Sequence, residues 1–107
     1  MSIRVPVAEL EDAVSRFGPT ALLVTAAGGA PHVSSVVVAF DGEILTMGAG
    51  NTTRRNVGQN PAVVLVWTGD RAEEHCLIVD ATAPDPAADP FFVRPVSGVL
   101  HRLASSD

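Results

Sequence analysis

Two short turn signals constrain the middle of this chain more than any other feature. Gly28-Gly29 separates a β-rich run, residues 20–27, from a second run, 31–40, and Asp41-Gly42 separates that run from residues 43–47. Such pairs, set between β-branched and aliphatic runs, favour hairpin turns whose twist matches that of the strands they join. Three consecutive strands joined by two tight turns predict an antiparallel meander.

On the N-terminal side, residues 7–17 predict a helix. Val7, Leu10, Val14 and Phe17 fall on one face of a 3.6-residue period. Pro6 suits the first turn, Glu9, Glu11 and Asp12 favour its N-terminal half, and Gly18-Pro19 stops it. On the C-terminal side, Gly48-Ala49-Gly50-Asn51 ends the third strand, and residues 52–59 predict a short helix capped by Asn51 or Thr52. Asn60-Pro61 terminates that helix, because the residue before a proline is pushed out of helical geometry. Residues 62–68 predict a strand, 69–72 a turn and 73–82 another strand. Segment 83–90 carries three prolines and no period, so it predicts a loop. Residues 91–103 predict a last strand, bulged or broken at Pro95 and Gly98. The sum is six or so strands and two short helices. The fold class expected is mainly β, a closed or partly open barrel, in a single domain over residues 1–107.

Charge and composition narrow the function. The seven basic residues are all Arg, against 12 acidic ones, for a net charge of −5. No basic patch is available for nucleic acid or an anionic membrane surface. Without Lys there is no Schiff-base or P-loop lysine, and without Tyr no tyrosine acid. The longest apolar stretch, residues 36–40, is far short of the roughly 20 residues of a membrane span, and the N-terminus has no signal-peptide pattern. A single Cys excludes an intramolecular disulfide and fits a reducing, cytoplasmic setting. A chain this short buries only about 60–65% of its unfolded surface. Runs 36–40 and 62–67 show little polar alternation, so both sheet faces want cover. A homodimer is expected.

Four places offer chemistry. In Gly48-Ala49-Gly50-Asn51-Thr52-Thr53-Arg54-Arg55-Asn56, glycines deliver a strand to a helix N-terminus, where free N–H groups and the dipole favour an anion. Thr52 and Thr53 add hydroxyls, and Arg54 or Arg55 could pair bidentately with a phosphate. Lying about 100° apart, the two arginines cannot both face it squarely. The plainer reading is a capped helix with a solvated arginine pair. In Pro31-His32-Val33-Ser34-Ser35, Ser34 or Ser35 could face a ligand, but no nucleophile elbow or placeable triad exists. His75 and Cys76 point to opposite faces of a strand and no metal-ligand spacing recruits others, so no metal is expected. Trp67, the only Trp, reads as a core or interface residue, or else as an aromatic wall for a flat ring at a pocket rim. No catalytic residue is identified.

Taken in order, these motifs resemble the pyridoxamine 5′-phosphate oxidase-like family of flavin-binding split β-barrels. The likeness runs from about Leu10 to Thr82: the leading helix, Ala21-Leu22-Leu23-Val24-Thr25, the hairpin into Pro31-His32-Val33-Ser34-Ser35-Val36, then Asp41-Gly42-Glu43-Ile44-Leu45. Its most specific part is Arg54-Arg55-Asn56-Val57 followed by Asn60-Pro61 and a valine-rich strand. The resemblance implies a homodimer with FMN, or a deazaflavin coenzyme, in two clefts between subunits; some relatives bind haem or no cofactor. It implies a phosphate over Asn51, Thr52, Thr53 and Arg54. The ring would meet the strand carrying Ser35, Val36 and Val38, together with Met47, Gly48 and Ala49, with Trp67 as a further cofactor-binding residue. It implies hydride transfer to or from a small molecule, the cofactor carrying the chemistry. The family commonly has a basic residue where this chain has Thr53. The alternative is a non-catalytic split-barrel binding or scaffold dimer that has lost tight cofactor binding.

Overall fold

The computed structural model describes residues 2–68 and 75–102. Among them the chain forms eight strands: β1 (Ser2–Val5), β2 (Thr20–Thr25), β3 (His32–Val37), β4 (Ala39–Asp41), β5 (Ile44–Met47), β6 (Ala62–Thr68), β7 (His75–Thr82) and β8 (Phe91–Arg102). The helices are α1 (Leu10–Ser15), preceded by a 3-10 turn at Val7–Glu9, and α2 (Asn51–Gln59). The turn expected at 69–72 and the ends of two expected strands, residues 73–74 and 103, lie outside the described residues.

Every strand pairing is antiparallel, and the strand order is β3-β2-β6-β7-β8-β5-β4, with β1 joined to β8. The two ends of this order, β3 and β4, are separated in the chain by Val38 alone. A ladder whose first and last strands are one residue apart cannot lie flat, so the sheet curls almost into a barrel and stays open at that seam.

The seam corrects the expected meander. Residues 31–40 were expected as one strand, but the run divides at Val38: β3 pairs with β2, whereas β4 pairs with β5. Val38 turns its N–H to Pro19 O at 2.8 Å, so the chain changes partner without leaving a backbone donor unpaired. The first hairpin forms, with Thr25 opposite His32, but its loop is residues 26–31 rather than two glycines. In the second, Asp41 pairs with Ile44, and Gly42 takes φ +61 at the first loop position, as a primed turn requires. β1 is an addition to the expected set. It pairs with residues 98–101 of β8, whose edge there would otherwise be open.

β8 ties both parts of the sheet together. Its residues 91–93 pair with β5 and residues 94–102 with β7. Asp80 lies opposite Ser97 and Ala81 opposite Pro95, so Val96 is the extra residue of a bulge. The bulge accommodates Pro95, which has no N–H for the ladder. At Gly98 the strand runs through unbroken.

Strict alternation fills the inside of the curl. Ala21, Leu23 and Thr25 of β2, Val63, Leu65 and Trp67 of β6, and Leu77, Val79 and Ala81 of β7 are all buried. Phe91 and Val93 of β8, and Leu45 and Met47 of β5, complete this core. The first helix adds Leu10, Ala13 and Val14, while Val7, expected on the buried face, is 44% exposed on the preceding turn. α1 ends at Ser15, and the turn after it closes at Gly18, whose N–H donates to Val14 O at 3.0 Å and whose φ of +93 suits glycine there.

Candidate functional site

β5 ends at Met47, and Gly48, Ala49 and Gly50 turn the chain into α2. The N-cap of α2 is Gly50, with φ −84 and ψ 178, and no side chain caps the helix. Gly50 O accepts the Arg54 N–H at 3.1 Å, which opens the helical ladder. The N–H groups of Asn51, Thr52 and Thr53 precede that first bond and have no carbonyl within the helix to receive them. No acidic residue sits in the first turn to oppose an incoming anion. The expected cap at Asn51 or Thr52 is thereby corrected: the helix starts earlier, on a residue with no side chain to satisfy those donors.

Beside this turn lies a cleft of about 440 Å³, lined by Ser34, Ser35, Val36 and Val37 on one side and Gly48 and Gly50 on the other. Among the described strands β3 pairs with β2 alone, so its far edge carries backbone donors and acceptors with no strand to meet them. A Cβ built on Gly48 or Gly50 would meet nothing within 4 Å, so this side of the cleft is open space. One cleft thus joins an uncapped helix N-terminus to an unpaired strand edge. The first suits a phosphate; the second suits the donors and acceptors of a flat heteroaromatic ring. On this donor set the residues fit a phosphate-bearing flavin or deazaflavin.

The residues singled out from sequence have different places in the structure. Ser35, Val36 and Gly48 line the cleft, and Ala49, Asn51 and Thr52 continue from it with at least partly exposed side chains. The side chains of Val36, Val38 and Met47 are buried, which leaves their backbone as the part able to meet a ligand. Two more have their side chains in the core. Thr53 is 1% exposed and shares its helical face with buried Val57, so its backbone N–H rather than its side chain is the part able to meet a ligand. Trp67 is 0% exposed on the inner face of β6, so it is a core residue and no pocket wall. Its Nε1 has no hydrogen-bond partner among the described residues.

Arg54 is present at the site but committed. Its Nε donates to Ala49 O at 3.3 Å, and one Nη donates to Pro86 O at 2.9 Å and Ala88 O at 2.8 Å. Its guanidinium carbon stands 5.5 Å from the Phe91 ring centroid. Arg55, one residue on, is exposed. Val37 and Gly50, inside two of the candidate segments, also line the cleft, because β3 is an edge strand and Gly50 is the cap. The Gly-Ala-Gly spacing before α2 was the available signal for Gly50.

A larger cleft of about 590 Å³ lies between the N-terminal helical turns and the β4–β5 hairpin, lined by Val7, Glu11, Phe40, Glu43, Leu45 and Arg94 among others. Two carboxylates on its wall disfavour a phosphate there. Among the described residues no three His, Cys, Asp or Glu side chains gather around a common metal position, and no helix is long and apolar enough to cross a membrane.

No family model matches the sequence, and no curated protein does. Solved structures do. An F420 reductase superposes with a TM-score of 0.61 at 22% identity, covering 78% of this chain and 91% of its own. A Listeria innocua protein, provisionally assigned as a pyridoxamine 5′-phosphate oxidase, gives 0.58 at 18% identity, covering 88% and 94%. A Mesorhizobium loti FAD-binding protein gives 0.58 at 16% identity, covering 94% and 96%. At these identities the likeness establishes architecture: this chain has the split β-barrel fold of those proteins.

Proposed function

We propose that this chain is one split-barrel domain of a homodimer that binds a flavin-type cofactor, FMN or a deazaflavin analogue. It would serve hydride transfer to or from a small molecule. The observation that carries the reading is the single cleft in which the uncapped start of α2 meets the free edge of β3. Solved neighbours that are an F420 reductase and a FAD-binding protein support the cofactor class. The bound cofactor supplies the hydride chemistry itself. The chain supplies the rest: the N–H groups of residues 51–53 hold the phosphate, the β3 edge and Gly48 orient the ring, and Ser35 offers a hydroxyl at the rim.

In a single chain the cleft stays open to solvent beyond its two sides, and the outer sheet face supports a second copy as its cover. Val33, Val24 and Val64 lie in one cross-strand row, and Leu22, Val66, Ile78 and Val99 in the next. Val33 and Val37 are 53% and 67% exposed. Apolar rows of this extent on an outer face favour a self-association surface. Ser35 belongs to the same face as these rows, so a copy seated there would stand beside the cleft.

The test is the visible spectrum of the purified protein, followed by titration with FMN, FAD and F420 and by light scattering. Micromolar binding of one of them by a dimer is expected; no binding at tens of micromolar overturns the assignment. A second reading, a split-barrel dimer that holds no cofactor, is favoured by the burial of Thr53 and the engagement of Arg54. It predicts the same dimer with no flavin bound.

A further inference from the structure

Adjacent arginines at the start of α2 have different surroundings, and the difference assigns them different work. Arg54 reaches sideways to three backbone carbonyls, at Ala49, Pro86 and Ala88, and lies over the Phe91 ring. Ala49 sits between the two glycines that line the cleft, and Pro86 and Ala88 belong to the proline-rich segment that carries no regular structure. One guanidinium therefore fastens the cleft-forming turn to a segment more than 30 residues away in the chain. Arg55 has an exposed side chain on the helical face of Asn51 and Thr52, four and three residues back. Helical side chains lean toward the N-terminus, which directs Arg55 toward the end of α2 that carries the open N–H groups.

We infer that Arg54 is a positioning residue, a strap that sets the shape of the 48–50 turn through Ala49, and that the phosphate's cationic partner is Arg55. The inference rests on the flavin reading above for its ligand, but the strap stands apart from it. A guanidinium fork meets separate carbonyls in fixed geometry, which a lysine ammonium cannot reproduce although it keeps the charge.

The experiment compares Arg54→Lys and Arg55→Ala with the wild-type dimer in two measurements. Amide exchange is followed at Ala87 and Ala88 without flavin, and affinity is measured for FMN and for riboflavin, which lacks the phosphate. Arg54→Lys is expected to speed exchange at both amides at least tenfold and to weaken FMN and riboflavin by a similar factor. Arg55→Ala is expected to leave exchange unchanged and to weaken FMN about tenfold while sparing riboflavin. Wild-type exchange at Arg54→Lys, or a loss confined to FMN in that variant, overturns the strap. Random-coil exchange of Ala87 and Ala88 in the wild type overturns it without any variant. An Arg55→Ala protein with undiminished FMN affinity overturns the second assignment. If the wild type binds none of FMN, FAD, riboflavin and F420, the cofactor reading fails while the exchange measurement still decides the strap.

Discussion

The side-chain amide of Asn56 donates to the Thr25 hydroxyl at 3.1 Å, and this bond moors α2 to the inner face of β2. Thr25 is 2% exposed and stands opposite His32 on one side and Val63 on the other. A helix that presents its open end to a cleft is held in place by a polar contact from its middle.

Thr25→Val keeps the shape of that side chain and removes the acceptor. Asn56 is half-buried, so water recovers part of the lost bond and the expected cost is about 1 kcal/mol. For a domain of this size that corresponds to a melting temperature lower by about 4–8 °C. Urea unfolding monitored by circular dichroism checks it; an unchanged midpoint would mean the bond contributes nothing.

Gly98→Ala tests the contact between α1 and β8. A Cβ there would stand 2.6 Å from Leu10 Cδ2 and 3.2 Å from Val5 O. The leucine tip can move but the carbonyl belongs to the β1 backbone, so overpacking should cost about 1–3 kcal/mol. Adding Leu10→Ala should recover part of that cost, giving a double-mutant cycle that departs from additivity. Simple addition of the two single effects would place the strain elsewhere.

Gly50→Asp separates stability from ligand binding. The position has an extended backbone and open space around a new Cβ, and aspartate is a good N-cap. The variant should be as stable as the parent, or more stable by a few tenths of a kcal/mol. FMN affinity should fall at least tenfold, because the carboxylate takes the N–H groups and repels the phosphate. Isothermal titration read beside thermal unfolding checks both; undiminished FMN affinity would move the phosphate away from α2.

Val33→Glu places a charge in the most exposed part of the apolar rows, and the two copies of a symmetric dimer would each carry it. The expected result is a folded monomer by light scattering, with the far-UV spectrum unchanged. A dimer that persists would put the interface on another face.

Much of this architecture was legible because short-range rules decide it. Gly42 takes the left-handed φ that the Asp41-Gly42 pair signals, and Asn60-Pro61 ends α2 where expected. The division at Val38 was hidden because nothing local marks it: the run on either side is unbroken and apolar, and the change of partner depends on Pro19 from another part of the chain. β1 escaped notice for a related reason, since four residues become a strand only when the edge of β8 is there to receive them. At the site, the sequence located the segments better than the side chains. The glycine-to-helix turn and Ser35 do border the cleft. Thr53 could have been phased with Val57 onto the buried face, but two of the three carbonyls that engage Arg54 lie 32 and 34 residues away and leave no mark on its neighbours.

The seam at Val38 also bears on how this protein behaves in a crowded solution. An open antiparallel ladder ends in two sticky borders, and each is a template on which another chain can add a strand. Here the two borders are consecutive in the chain, so the curl brings them beside one another instead of displaying them at opposite limits of a flat sheet. One border, β4, is only three residues long; the other, β3, is the wall of the cleft. Occupying the cleft would therefore do more than hold a ligand: it would cover an edge at which neighbouring molecules could begin to stack.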